Sequence, residues 1–101
     1  MVFVKVLQEN DLGLNEIKGV QAEGKNVLVA NISGKYFAIG NVCTHMGCRL
    51  SNGKLTGENI ECSCHGSTYN VKSGSIVKGP AKVPEPAYQV KVEMGQILVN
   101  V

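Results

Sequence analysis

The sequence predicts an all-β protein, and three observations predict it. Short runs rich in Val, Ile, Tyr and Phe recur along the chain, glycine-containing breakers separate them, and no long window spaces its apolar residues as a capped helix would. A chain of 101 residues makes one domain, residues 1–101. It buries somewhat over ~60% of its unfolded surface and leaves nothing for a second unit. An antiparallel sandwich or small barrel is the arrangement that strands of this kind reach.

Taken in order, the runs are "VFVKVL" (2–7), "VLVANI" (27–32), "KYFAIGNV" (35–42), "AYQVKV" (87–92) and "QILVNV" (96–101). Their β-branched and aromatic side chains suit a pleated, half-buried surface. Ser33-Gly34 joins the second run to the third as a tight hairpin, and Met94-Gly95 joins the last two. Asn52-Gly53 and Ser73-Gly74 mark turns nearer the middle. "DLGLNEIKG" (11–19) is expected to hold a turn of helix. In "AYQVKVEMGQILVNV", alternation sets Tyr88, Val90 and Val92 on one side and Gln89, Lys91 and Glu93 on the other. "GPAKVPEP" (79–86) contains all three prolines and is read as a loop, because proline cannot donate to a ladder.

Composition narrows the function. The formal charge of +2 comes from scattered lysines, with Arg49 the only arginine, and no basic run alternates with aromatics as a nucleic-acid groove requires. No apolar run approaches the ~18 residues of a membrane span. "MVFVKVLQEN" lacks the basic start, long apolar middle and small-residue cleavage site of a signal peptide. The expectation is a cytoplasmic monomer that binds neither nucleic acid nor membrane.

All four cysteines and both histidines fall in two short stretches, "NVCTHMGCRL" (41–50) and "ECSCHGSTYN" (61–70). Their spacing is Cys43-x-His45, sixteen intervening residues, then Cys62-x-x-His65, with Cys48 and Cys64 left over. Each loop thus offers one soft thiolate and one borderline imidazole, which suits a metal centre with two chemically different ends. A [2Fe–2S] cluster with two cysteines on one iron and two histidines on the other is such a centre. Zinc bound by two Cys and two His fits second best, because a finger pairs like with like at short spacing whereas each pair here is mixed. A plant-type all-cysteine cluster fails, since Cys43 and Cys48 match C-x4-C but Cys62 follows only after thirteen residues. Disulfides alone are permitted by the even cysteine count and leave both histidines unexplained.

"CTHMGC" followed by "CSCHGSTY" resembles the two cluster-binding boxes of Rieske iron–sulfur proteins, and the likeness continues through "SGSIVKGPA" at 73–81. The resemblance implies a fold of three small antiparallel sheets with both cluster loops at one end. It implies that Cys43 and Cys62 hold the buried iron and that His45 and His65 hold the outer one. Cys48 and Cys64 match the disulfide that ties the loops together in the high-potential branch of cytochrome bc-type complexes. Ser67 and Tyr69 match the residues that donate hydroxyl hydrogen bonds to a bridging sulfide and to the Cys43 sulfur. Gly79-Pro80 matches the loop that covers the cluster.

These expectations describe a one-electron carrier with one Rieske-type [2Fe–2S] cluster, a high and pH-dependent potential, and no catalysis of its own. No nucleotide-binding glycine loop and no spare His or Cys is present for other chemistry. Its partners are a reductase and a terminal acceptor that dock transiently near His45 and His65, with Met46 and the Gly79-Pro80 loop as apolar contacts. The alternatives are a subunit or excised soluble domain of a bc-type complex or Rieske oxygenase system, and a zinc-bound module without redox activity. The disulfide pair favours the bc-like branch. The chain ends discriminate: an intact chain beginning at Met1 supports a free ferredoxin, and an upstream anchor supports an excised soluble fragment.

Overall fold

The structure, a computed structural model, describes residues 3–42, 48–64, 66–79 and 83–100. Among these residues eleven strands run in order: β1 (Phe3–Gln8), β2 (Ile17–Ala22), β3 (Lys25–Ile32), β4 (Lys35–Gly40), β5 (Lys54–Thr56), β6 (Asn59–Glu61), β7 (Thr68–Asn70), β8 (Ile76–Lys78), β9 (Ala87–Tyr88), β10 (Val90–Glu93) and β11 (Gln96–Asn100). They form three antiparallel sheets, ordered β1-β11-β10, β2-β3-β4-β9 and β5-β6-β7-β8. The all-β, three-sheet expectation holds.

The second sheet lies between the other two, and β3 shows why. Leu28, Ala30 and Ile32 pack with Leu50, Ile60, Cys62, Tyr69 and Val71, while Val27 and Val29 pack with Leu7, Ala38, Ile97 and Val99. Successive side chains of a strand point to opposite faces, so the uninterrupted apolar run of β3 serves two cores at once. β4 continues the pattern, with Phe37 and Ile39 against the first core and Tyr36 and Ala38 against the second. The one polar residue inside the run, Asn31, is buried and occupied: its Nδ2 donates to Leu12 O at 3.2 Å and its Oδ1 accepts from Gly34 N at 3.0 Å.

Two expected hairpins are present, with positive φ at Ser33 and Gly34 and at Met94 and Gly95, the left-handed pair that a two-residue turn needs. A third, at Glu23 and Gly24, joins β2 to β3. The turn of helix expected within 11–19 is displaced: a 3-10 turn sits at Glu9–Asp11, and Ile17 already opens β2. β3 captures that segment as an edge strand, in a ladder from Ile17↔Ala30 to Ala22↔Lys25. "AYQVKV" is two strands, because the chain leaves the second sheet at Tyr88, paired with Ala38, and enters the first at Val90, paired with Val99. Tyr88 and Val90 face one core as alternation predicts, whereas Val92 remains 39% exposed at the sheet's outer edge. The described part of the proline loop, residues 83–86, lies outside every ladder, as expected. Among the described residues no helix is long and apolar enough to cross a membrane.

The third sheet depends on one close approach. A Cβ on Gly53, where the chain enters β5, would collide with the backbone oxygen of Glu61 in β6. Gly57, in the β5–β6 turn, has a positive φ of 61° and open space around it. Gly53→Ala is therefore expected to cost about 2–4 kcal/mol by forcing two strands apart. Gly57→Ala should lose only the ~1–2 kcal/mol of a left-handed residue. Urea unfolding of both variants checks this, and the ranking should not reverse.

Candidate metal centre

The described flanks of the first stretch rich in cysteine and histidine lead from β4 toward β5, the second stretch falls between β6 and β7, and hydrogen bonds close the base of each. For the first, Val42 and Arg49 form an antiparallel bridge around residues 43–48. Just outside it, Leu50 N donates to Asn41 O at 2.7 Å, Ser51 N donates to Asn41 Oδ1 at 2.8 Å, and Asn41 Nδ2 donates to Ser51 Oγ at 3.1 Å. Asn41 is buried and also takes Asn26 O through its backbone N–H at 3.0 Å. Gly19 in β2 leaves room for this knot, since a Cβ there would lie 2.6 Å from Asn41 Nδ2 and 2.7 Å from Ser51 Oγ. Leu50, fully buried in the first core, pins the returning chain.

The second loop connects β6 to β7. Cys62 N donates to Ser67 O at 2.7 Å and Gly66 N donates to Cys62 O at 3.0 Å, with Gly66 at φ 78° to make the turn. These bonds draw Cys62 into the core, where it is 1% exposed and packs among Leu50, Ile60 and Tyr69. Ser67 and Tyr69 are both fully buried. A buried hydroxyl must be hydrogen-bonded to be tolerated, and both residues do make interactions.

A disulfide between Cys48 and Cys64, with Cα atoms 6.5 Å apart, ties the loops together. Its half-cystines are sixteen positions apart in sequence. On loop-entropy grounds such a closure contributes about 3 kcal/mol. The Sγ atoms of Cys48, Cys62 and Cys64 lie within 4.8 Å of one another. Since two of them are consumed in the disulfide, Cys62 is the sulfur of this group available to a metal, and a thiolate must be deprotonated to serve.

Of the residues singled out from sequence, the structure brings together Cys48, Cys62, Cys64, Ser67 and Tyr69. Gly79 is exposed directly after β8. Cys43, His45, Met46, His65 and Pro80 lie outside the described residues. Sequence reasoning passed over Asn41, Ser51 and Glu85. Asn41 adjoins the first cysteine box, and its type alone does not announce burial. Glu85, only 5% exposed, sits in the proline loop with its carboxylate against Gly40, its N–H on Gly74 O at 2.8 Å, and Pro86 O accepting from Gly40 N at 2.9 Å. These contacts fasten residues 85–86 to β4 of the second sheet and to the β7–β8 turn of the third.

The donor chemistry fits a cluster. One thiol is buried where water is excluded, in the same core as Tyr69 and bonded through its backbone N–H to the buried Ser67, on a loop cross-linked to a second loop that carries further sulfur and imidazole residues.

Comparison with known proteins agrees with this geometry. Residues 2–93 match the family described as Rieske [2Fe-2S] domain. The chain is 31% identical over 100 residues to the ferredoxin component of biphenyl 2,3-dioxygenase from Rhodococcus jostii, covering 99% of this chain and 94% of that protein. It is 37% identical over 81 residues to the cytochrome b6-f complex iron-sulfur subunit of Chlorobaculum tepidum, covering 80% of this chain and 44% of that one. Among solved structures, a chain in the complex of reduced oxygenase and oxidized ferredoxin in carbazole 1,9a-dioxygenase superposes with a TM-score of 0.91 at 31% identity, covering 97% of this chain and 92% of that one. With the buried thiol and the cross-linked loops already in place, a match over this much of the sequence makes the chain a member of the Rieske [2Fe–2S] family.

Proposed function

We propose that this chain, as a single domain over residues 1–101, is a soluble ferredoxin of the cytoplasm. It moves one electron at a time at a high, pH-dependent potential between a reductase and a terminal oxygenase. As a Rieske [2Fe–2S] protein related over nearly its whole length to ferredoxin components, it carries electrons rather than transforming a substrate. The observation that supports the reading most is the pairing of a buried Cys62 thiol with a disulfide that locks its loop to the loop of Cys43 and His45.

In this reading Cys43 and Cys62 hold the inner iron, and His45 and His65 hold the outer one. A [2Fe–2S] group so held takes up and releases one electron, with a potential in the ~−150 to +300 mV range rather than near ~−400 mV. The chain supplies the reason. Two neutral imidazoles in place of two thiolates remove two negative charges from the ligand set, so an incoming electron meets less repulsion. Hydroxyl donors at Ser67 and Tyr69 withdraw further charge from sulfur and favour the reduced state. Fixed in the core, neither needs to reorient when the charge changes. Each imidazole keeps a second ring nitrogen that exchanges a proton, and added positive charge nearby makes that proton easier to lose.

The solved complex of oxygenase and ferredoxin in the carbazole system supports a partner of the same class here. We place the docking face around His45 and His65, bordered by Met46, Gly79 and Pro80. The exposed Val42 extends it from the base of the first loop. Such electron-transfer contacts are small and short-lived. A second reading, the soluble domain of a bc-type iron–sulfur subunit, is favoured by the disulfide and by the 37% identity to the b6-f subunit. Isolation of the native protein from its host distinguishes them, since a free carrier copurifies with no membrane complex.

Two outcomes follow. Redox titration of the holoprotein should give a positive potential that falls by about 59 mV per pH unit once one imidazole proton leaves with oxidation. A potential independent of pH into strongly alkaline solution contradicts histidine ligation. Tyr69→Phe should lower the potential by about 60 mV, the equivalent of a hydrogen bond worth about 1.4 kcal/mol more to the reduced state. An unchanged potential in a folded, cluster-loaded variant removes Tyr69 from that role.

A further inference from the structure

The chain has only five aromatic residues, and four of them, Phe3, Tyr36, Phe37 and Tyr88, line a single cleft. They reach it from β1 of the first sheet and from β4 and β9 of the second, and Lys72 reaches it from the β7–β8 turn of the third. All four rings are half-buried, so each has one side packed and another side turned to the opening. A volume of about 490 Å³ falls within the range of sites that hold small ligands.

Three lysines stand over these rings. Lys72 Nζ is 5.4 Å from the centroid of Phe37, Lys91 Nζ is 4.4 Å from that of Phe3, and Lys25 Nζ is 5.9 Å from that of Tyr88. Each contact is a cation–π pair, and together they set positive charge around an aromatic floor. Lys72 and Lys91 pair with Glu58 at 2.7 Å and Glu93 at 3.4 Å, whereas Lys25 forms no ion pair among the described residues. Both pairs are solvent-exposed, and such pairs are weak enough for a competing anion to exchange. Burial, and then the Glu85 carboxylate, push the Tyr88 hydroxyl up from its ordinary pKa.

The cleft is remote from the metal centre. Val42, at the base of the first cysteine stretch, is five positions beyond Phe37, about 16 Å along an extended chain at ~3.3 Å per residue. Neither the Cys62 thiol nor the disulfide contributes to it.

From the aromatic floor, the volume and the Lys72 ammonium at its wall, we propose that this cleft is a second binding site, for a small planar aromatic carboxylate. The ring of the ligand stacks among Phe37, Tyr88 and Phe3, and its carboxylate meets the Lys72 ammonium.

The test is a two-dimensional amide NMR titration of the holoprotein with 2-naphthoate, and in parallel with 2-naphthalenemethanol, which keeps the rings and lacks the charge. Saturable shifts confined to the amides around Phe3, Phe37, Lys72 and Tyr88 are expected, with the alcohol binding about fivefold more weakly. Lys72→Gln should weaken naphthoate by about the same fivefold factor and leave the alcohol unchanged. Phe37→Leu should weaken both probes. The proposal is overturned by the absence of saturation up to about 10 mM naphthoate. It is equally overturned by shifts centred elsewhere, or by equal affinity for acid and alcohol. Tighter occupation of the cleft by a glutamate-rich, tyrosine-containing peptide than by naphthoate would also overturn it, by marking the cleft as a protein-docking face.

Discussion

β3 has no face to give to water, and the rest of the molecule answers that constraint. Val27 and Val29 on one side and Leu28 and Ala30 on the other are fully buried, so a cover is needed on both sides. β1, β10 and β11 supply one cover, and the small third sheet with Leu50 supplies the other. At roughly 25 cal/mol per Å² of apolar surface removed from water, burying each of the valines and Leu28 contributes on the order of 1.5–3 kcal/mol. That is enough to hold strands of three residues that would not persist alone.

The metal centre inherits its rigidity from that second cover. Ile60 and Tyr69, one on each strand of the β6–β7 hairpin, are driven into the first core, and Cys62 follows Ile60 inward. Leu50 does the same for the first loop, with the Asn41–Ser51 pair as its polar lock. The described bases of both loops are therefore anchored by protein contacts, and the Cys48–Cys64 disulfide cross-links them. A redox site gains from such anchoring, because ligands that do not move when charge changes keep the cost of each electron transfer small.

The chemistry was more legible in the sequence than the architecture. Cys43, His45, Cys62 and His65 stand out because their residue types are rare in this chain and their offsets restricted, and Cys48 and Cys64 paired only through the family resemblance, since spacing leaves connectivity open. The long strands β3, β4 and β11 were visible in their apolar runs. β2 was not, because "IKGVQA" is interrupted by Gly19, whose missing Cβ makes space for Asn41 and Ser51. The three-residue strands β5 to β8 are too short to show a period. The aromatic cleft was hidden for a different reason. Its residues come from positions 3, 36, 37, 72 and 88, and only tertiary packing gathers them.

The central claim is that two histidines, one from each loop, and two cysteines hold a single redox cluster. It is tested most directly by pulsed electron paramagnetic resonance on the dithionite-reduced protein, grown once with ordinary and once with nitrogen-15 histidine. The account predicts two directly coupled nitrogens whose hyperfine pattern changes with the isotope. A reduced cluster showing no strongly coupled histidine nitrogen, or a colourless protein with zinc in its place, would contradict it.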